Sequence, residues 1–338
     1  MRLDDIIKYR NAWIGFAMLW IVFFHTPVDI SFLPVALFKN MGYGGVDICF
    51  FASGIGCYYS LNKNFNIFEF AKRRFFRIMP TYLCFIVLWL VFRYNTIGIP
   101  FPAIIGNIFG IQNFTGLGGD FNWYISALIL FYVIAPYFKG VIDNIGKVKL
   151  LLFFLLLICL TVGFWNSKVY IITMARIPIF FLGMLTGKMA LSGKYTVYAK
   201  EKFVSYLVML VGVIILSLAY TYCRNILWSH GVYWYPFILI TPGLCLFISN
   251  IISVIEKRAE LHWIKKCLDI VGKNSFEIYL IHIFLFEAVI PFVVEKLYLQ
   301  KYNNIVWLGC FALLPIIVVC FKLYVKIVIK CVSVVKKR

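Results

Sequence analysis

The segment FVSYLVMLVGVIILSLAYTY, residues 203–222, decides the fold. It carries no charge, and about 20 consecutive apolar residues is the length at which an α-helix crosses a bilayer core. Working outward from it, similar runs recur almost end to end. They cover about 11–30, 43–61, 78–95, 121–139, 148–165, 169–190, 203–222, 233–255, 274–297 and 304–328. Apolar residues make up 63% of the chain, against roughly 45–50% in an ordinary soluble protein. A soluble globule cannot hide that much apolar surface, and a disordered chain does not carry it. The runs are continuous rather than alternating, which excludes a transmembrane barrel. The expectation is an all-α integral membrane protein. It forms one bundle of about ten transmembrane helices over residues 1–338, with no appended soluble domain. The stretch 101–114 is apolar but short, with Gly, Pro and Asn in it, and reads as a re-entrant or interfacial piece.

The charge fits this picture. A net charge of +19 would suggest nucleic acid in a soluble protein, but here the basic residues sit between apolar runs. With ten spans, all but seven of the 33 Lys and Arg fall on one side. The seven are Lys39, Arg93, Lys168, Arg176, Arg224, Lys296 and Lys301. Positive residues collect in the cytoplasm, so both termini are expected there. The ten cysteines never form C-x-x-C and read as small membrane residues, not as a disulfide frame or a metal site. The first run lacks a small-residue cleavage site and holds a histidine, so it reads as a retained span.

An ionisable side chain inside a span costs about 2.5–3.5 kcal/mol on insertion scales, so each one asks for a reason. His25 lies about 21 Å along the first span at 1.5 Å per residue. Asp47, Arg176 and Glu287 fall at comparable depth when the spans alternate in direction, and Asp120 and Asn122 stand at the outer mouth of the fourth. One reading is an ion-paired scaffold, Arg176 with Asp47 or Glu287. The other is a reactive site, because a neutral imidazole can take and return a proton near pH 7. At the opposite side, FAKRRFFRIMPTY at 70–82 concentrates Lys72, Arg73, Arg74 and Arg77. Such a cluster serves as a topology signal, an anionic-lipid anchor or a phosphate site. GKNSFEIYLIH at 272–282 places Glu277 and His282 near that same inner face.

Six segments in order carry a family resemblance. They are RNAWIGFAMLWIVFFH ending in His25, GYGGVDICFFASG with Asp47, and RRFFRIMPTY with Arg74 and Arg77. NWYISALILFYVIAPYF around Trp123, RIPIFFLG with Arg176 and GKNSFEIYLIH with His282 complete the set. Together the chain resembles the acyltransferase family 3 membrane proteins, bacterial enzymes that O-acylate sugars and polysaccharides. The resemblance implies a multi-pass protein of the bacterial inner membrane. Its cosubstrate would be acyl-coenzyme A, with acetyl as the default, and no bound cofactor or metal is implied. Arg73, Arg74 and Arg77 would hold the donor phosphates, and His282 would orient the donor. His25, with Asp47 and Arg176, would perform the chemistry. Asn122, Trp123 and Glu287 would line the acceptor side. The implied partners are a glycan acceptor, the lipid bilayer and glycan-assembly proteins, with no nucleic acid. One position departs from the pattern. Members commonly carry an arginine eleven residues before the histidine, where Ile14 stands. Arg10, fifteen before it, is either that residue moved by a turn or a topology cation. A glycan transporter or flippase, or a non-catalytic partner in polysaccharide assembly, are the rival functions.

Overall fold

The structure, a computed structural model, describes residues 3–26, 28, 30–96, 98–115, 123–164, 166–167, 170–223, 231–298 and 303–335. The first half holds α1 (Leu3–Ile7), α2 (Arg10–Phe24), α3 (Leu33–Asn40), α4 (Gly45–Lys63), α5 (Ile67–Thr96), α6 (Phe101–Ile108), α7 (Gln112–Thr115), α8 (Trp123–Asn144) and α9 (Lys147–Val162). The second holds α10 (Ile171–Met174), α11 (Ile177–Leu191), α12 (Ala199–Tyr222), α13 (Phe237–Ile255), α14 (His262–Lys273), α15 (Ser275–Phe284), α16 (Ile290–Lys296) and α17 (Asn303–Val335). A π-helical turn at Leu285–Val289 joins α15 to α16. There is no β-strand among the described residues.

Seven segments are long and apolar enough to cross a membrane: Ile67–Thr96, Trp123–Asn144, Ile171–Leu191, Ala199–Tyr222, Phe237–Ile255, Ser275–Lys296 and Val306–Cys331. They match seven of the ten apolar runs. The other three runs became α2, α4 and α9. At 15 and 16 residues, α2 and α9 are shorter than a full crossing. Helix α4 has 19 residues, but Asp47, two serines, two tyrosines and its glycines dilute its apolar character. Both α2 and α4 bury large side chains such as Trp13 and Phe50 at the centre of the bundle. A helix that meets protein rather than lipid needs less hydrophobicity. By contrast α12 buries only Gly212, Leu216 and Ala219, and turns the rest of its apolar surface outward.

Glycines set the closest contacts. A Cβ on Gly183 would stand 2.1 Å from the Phe51 carbonyl oxygen, and one on Gly54 would stand 2.2 Å from that of Phe180. The same reciprocity joins α2 to α14. A Cβ on Gly15 would fall 2.0 Å from the Leu268 oxygen, and one on Gly272 would fall 2.0 Å from that of Asn11. Between helices in lipid the hydrophobic drive is absent, and close backbone approach through small residues supplies the packing. Helix α14 was not among the expected elements. Its sequence, HWIKKCLDIVGK, is too charged to register as a span, yet it packs along α2.

The stretch 101–114 folds back as α6 and α7. The Tyr82 hydroxyl donates to the Asn107 carbonyl at 2.5 Å, and Ser126 Oγ donates to that of Gly110 at 2.6 Å. These bonds satisfy irregular backbone against protein, the condition for tolerating it at membrane depth. At the N-terminal end of α2, Glu256 accepts from the Tyr9 hydroxyl at 2.6 Å and pairs with Lys8 at 3.4 Å and Lys265 at 3.7 Å. The Tyr9 bond first, then Lys8 and Lys265, hold the Glu256 carboxyl below its ordinary 4.5.

Candidate active site

A cavity of about 100 Å³ runs up the bundle interior from the end where α2 begins. It is lined by Arg10, Ile14, Met18 and Ile21 of α2, and by Ser275, Phe276 and Tyr279 of α15. Steps of three or four residues keep one helical face. His25 is the next step after Ile21, and His282 is the next after Tyr279. The two stripes that line the cavity therefore both end in a histidine. At 1.5 Å per residue the lined part of α2 is about 16 Å long, with His25 one turn beyond. Tyr279 closes this end, its ring 4.7 Å from that of Tyr124 and 5.8 Å from that of His282.

The two imidazoles lie with centroids 5.2 Å apart and planes at 66°. They are anchored alike. His25 Nδ1 lies 2.9 Å from the Ile21 carbonyl, and His282 Nδ1 lies 2.9 Å from that of Ile278. A carbonyl only accepts, so this bond assigns the proton of each neutral ring to Nδ1 and leaves the lone pair on Nε2. His25 Nε2 is 3.7 Å from Glu287 Oε1, an ion-pair distance once the ring takes a second proton. His282 Nε2 is buried and has no hydrogen-bond partner. The side chains of His25 and Glu287 are 20% and 49% exposed, so this edge of the group opens toward the surface while His282 stays buried behind it.

Asp47 and Arg176 form a separate, closed group. Arg176 Nε lies 3.7 Å from Asp47 Oδ1, with both side chains at most 2% exposed. Its Nη1 donates to the Ile172 carbonyl at 2.6 Å. The guanidinium sits 4.9 Å from the Trp123 ring and 4.8 Å from that of Trp234, within cation–π range. Asp47 Oδ2 is buried without a hydrogen-bond partner.

At the other end of the cavity Arg10 and Arg77 stand in the wall, and Arg74 lies against α4 beside Arg10. Arg74 donates to the Gly56 carbonyl at 2.6 Å, and a Cβ on Gly56 would stand 3.2 Å from Arg10 Nη2. Arg77 lines the cavity, and Arg10 feels the charges of both Arg77 and Arg74. None of the three pairs with a carboxylate among the described residues.

The structure rearranges several expected positions. His282 does not sit with the arginine cluster but against His25, because α15 runs beside α2. Glu287 reaches His25 rather than Arg176. Arg73, expected with Arg74 and Arg77, lies one turn of α4 away from Arg74, donating to Ser60 Oγ and the Ser60 carbonyl, both at 3.3 Å, and does not line the cavity. Arg10 takes the third place. Trp123 holds the Arg176 guanidinium, and Asn122 lies outside the described residues. Two residues of the site are uncharged and do not stand out as ionisable groups within spans: Trp234, over which the Arg176 guanidinium sits, and Tyr279. The i+3 spacing from Tyr279 to His282 was the available signal for the latter.

A family model described as an acyltransferase domain matches residues 11–325. No curated protein and no solved structure matches the chain.

Proposed function

The chain belongs to acyltransferase family 3, and from that premise we propose that it moves an acyl group, acetyl by default, from cytoplasmic acyl-coenzyme A to a hydroxyl of a sugar or polysaccharide on the outer side of the bacterial inner membrane. In this reading α2, α4 and α9 also cross, giving ten spans with both termini in the cytoplasm. The observation that carries it is the cavity that has Arg10 and Arg77 in its wall and two lining stripes that lead to a pair of histidines.

Arg10, Arg74 and Arg77 receive the donor phosphates, since guanidiniums bind phosphate oxygens through charge-assisted hydrogen bonds. The pantetheine arm then follows the cavity toward Tyr279. The unpartnered Nε2 of His282 accepts from an amide N–H of that arm, which fixes the thioester beside His25. His25 Nε2 removes the proton of the acceptor hydroxyl, whose oxygen attacks the thioester carbonyl. The carbon–sulfur bond breaks as the tetrahedral species collapses, and the thiolate takes the proton back from the imidazolium. Glu287 stabilises that imidazolium while it exists. Asp47 and Arg176 act one layer behind, holding Trp123 and Trp234 in place at the acceptor side. Glycan-assembly proteins are the expected partners.

The test uses purified protein in detergent with labelled acetyl-coenzyme A. Saturable donor binding and slow donor hydrolysis are expected. Absence of both, in protein that remains monodisperse, removes the proposal.

A further inference from the structure

A second cavity, of about 450 Å³, lies apart from the donor channel on the outer face of α2, α14, α15 and α17. Its wall is apolar along most of its length, with Leu19 and Val22 of α2, Ile270 of α14, Ile278 of α15, and Phe311 and Val318 of α17. One end is different. Asn274, Lys322 and Lys326 line it there, and Lys322 Nζ donates to Asn274 Oδ1. Neither lysine meets a carboxylate among the described residues. Asn274 immediately precedes Ser275, which lines the arginine end of the donor channel, so the lysines stand at the same end of the bundle.

From Phe311 to Lys326 the groove follows fifteen residues of α17, about 22 Å at 1.5 Å per residue. One leaflet supplies about half of the roughly 30 Å hydrocarbon core, so the groove takes in the full depth of one fatty chain. The occupant must be greasy over that length and negative at one end only. A partner helix would not need the two cations, and a free anion would not need the apolar wall. We infer that this groove binds one anionic glycerophospholipid, with its phosphate on Lys322 and Lys326 and a fatty chain running to Phe311. Two aromatic rings separate the far end of that chain from His282. The Phe311 ring stacks on Phe286 at 6.3 Å, and the Phe286 ring meets that of His282 edge-on at 5.9 Å.

The inference is independent of the acyl-transfer reading, and its test does not use activity. Delipidated full-length protein in detergent is titrated with phosphatidylglycerol, phosphatidylcholine or inorganic phosphate. Retention is followed by native mass spectrometry and melting temperature by thermal shift. Phosphatidylglycerol is expected to bind and to raise the melting temperature, with phosphatidylcholine and phosphate doing neither. The double variant Lys322→Ala, Lys326→Ala should bind phosphatidylglycerol about 30-fold more weakly, from the typical contribution of two lysines at an anionic headgroup. Lys322→Arg with Lys326→Arg should keep the affinity. Val318→Trp, which fills the groove and leaves both charges, should lose it. Equal binding of the two lipids, wild-type affinity in the double alanine variant, or undiminished binding in Val318→Trp would each overturn the assignment.

Discussion

Asp47 and Arg176 lie in a closed compartment, where the guanidinium has a carboxylate, a backbone carbonyl and two indole faces around it. His25 and His282, beside them in the same bundle, are pinned through one ring nitrogen only and keep the other available. Exposure cuts across this division: Asp47, Arg176 and His282 are all buried, and His25 and Glu287, at 20% and 49%, form the edge that reaches outward. Read by depth alone, all these charges belong to one cluster. Their surroundings separate them. Asp47 and Arg176 already answer each other's charge, although Asp47 Oδ2 keeps a free lone pair, whereas His282 Nε2 has no partner at all and has capacity left for a substrate.

That division can be broken by experiment. The largest effect belongs to His25→Ala, which should lower acyl transfer about 10²–10⁴-fold, the usual contribution of a general base, at an unchanged yield of folded membrane protein. An active His25→Ala enzyme would transfer the reactive role elsewhere. Arg176→Ala should do the reverse and act first on folding. Removing one partner of a buried pair costs about 3–5 kcal/mol, visible as a lower melting temperature and poor yield. Replacing both, Asp47→Leu with Arg176→Met, should recover most of that stability. If the double replacement stays as unstable as the single one, the closed pair is more than a counter-charge.

At the mouth of the channel, Arg77→Ala should raise the KM for acyl-coenzyme A about 10-fold with kcat little changed, as expected for loss of a charge-assisted contact made equally before and during reaction. Arg73→Ala is the control, because its side chain faces Ser60, and steady-state kinetics should show no change. The smallest effect concerns Tyr9→Phe. The Glu256 carboxyl is held low in the folded protein, so this contact stabilises the fold above pH 4.5 and is lost as pH falls through the lowered value. The variant should therefore melt slightly earlier than wild type at pH 7, with the difference shrinking as the pH is taken below 4.5.

Much of the architecture could be read from apolar run length, because the bilayer fixes that length and little else does. Seven runs became helices of spanning size at the expected places. The departures share one cause. Helices α2, α4 and α14 are governed by contacts with other helices, and glycine spacing at Gly15, Gly54, Gly183 and Gly272 speaks to packing, which run length does not register. The site followed the same rule. His25, Glu287 and the arginines were visible as ionisable groups in or beside spans, but which of them touch depends on helix rotation. Rotation placed Arg73 outside the channel, Arg10 inside it and His282 against His25.

The wide turn at Leu285–Val289 governs one such rotation. In an ordinary α-helix, residues five apart point about 140° away from each other, so Glu287 would turn its back on the side occupied by His282. A π-helical turn bonds residue i to i+5 and draws positions five apart toward a common side. With one residue fewer, His282 and the carboxylate would stand four apart, about 40° in regular α-helix and again on one face, so the wide turn lets the backbone carry a surplus residue while the counter-ion stays on the side of the His25 ring.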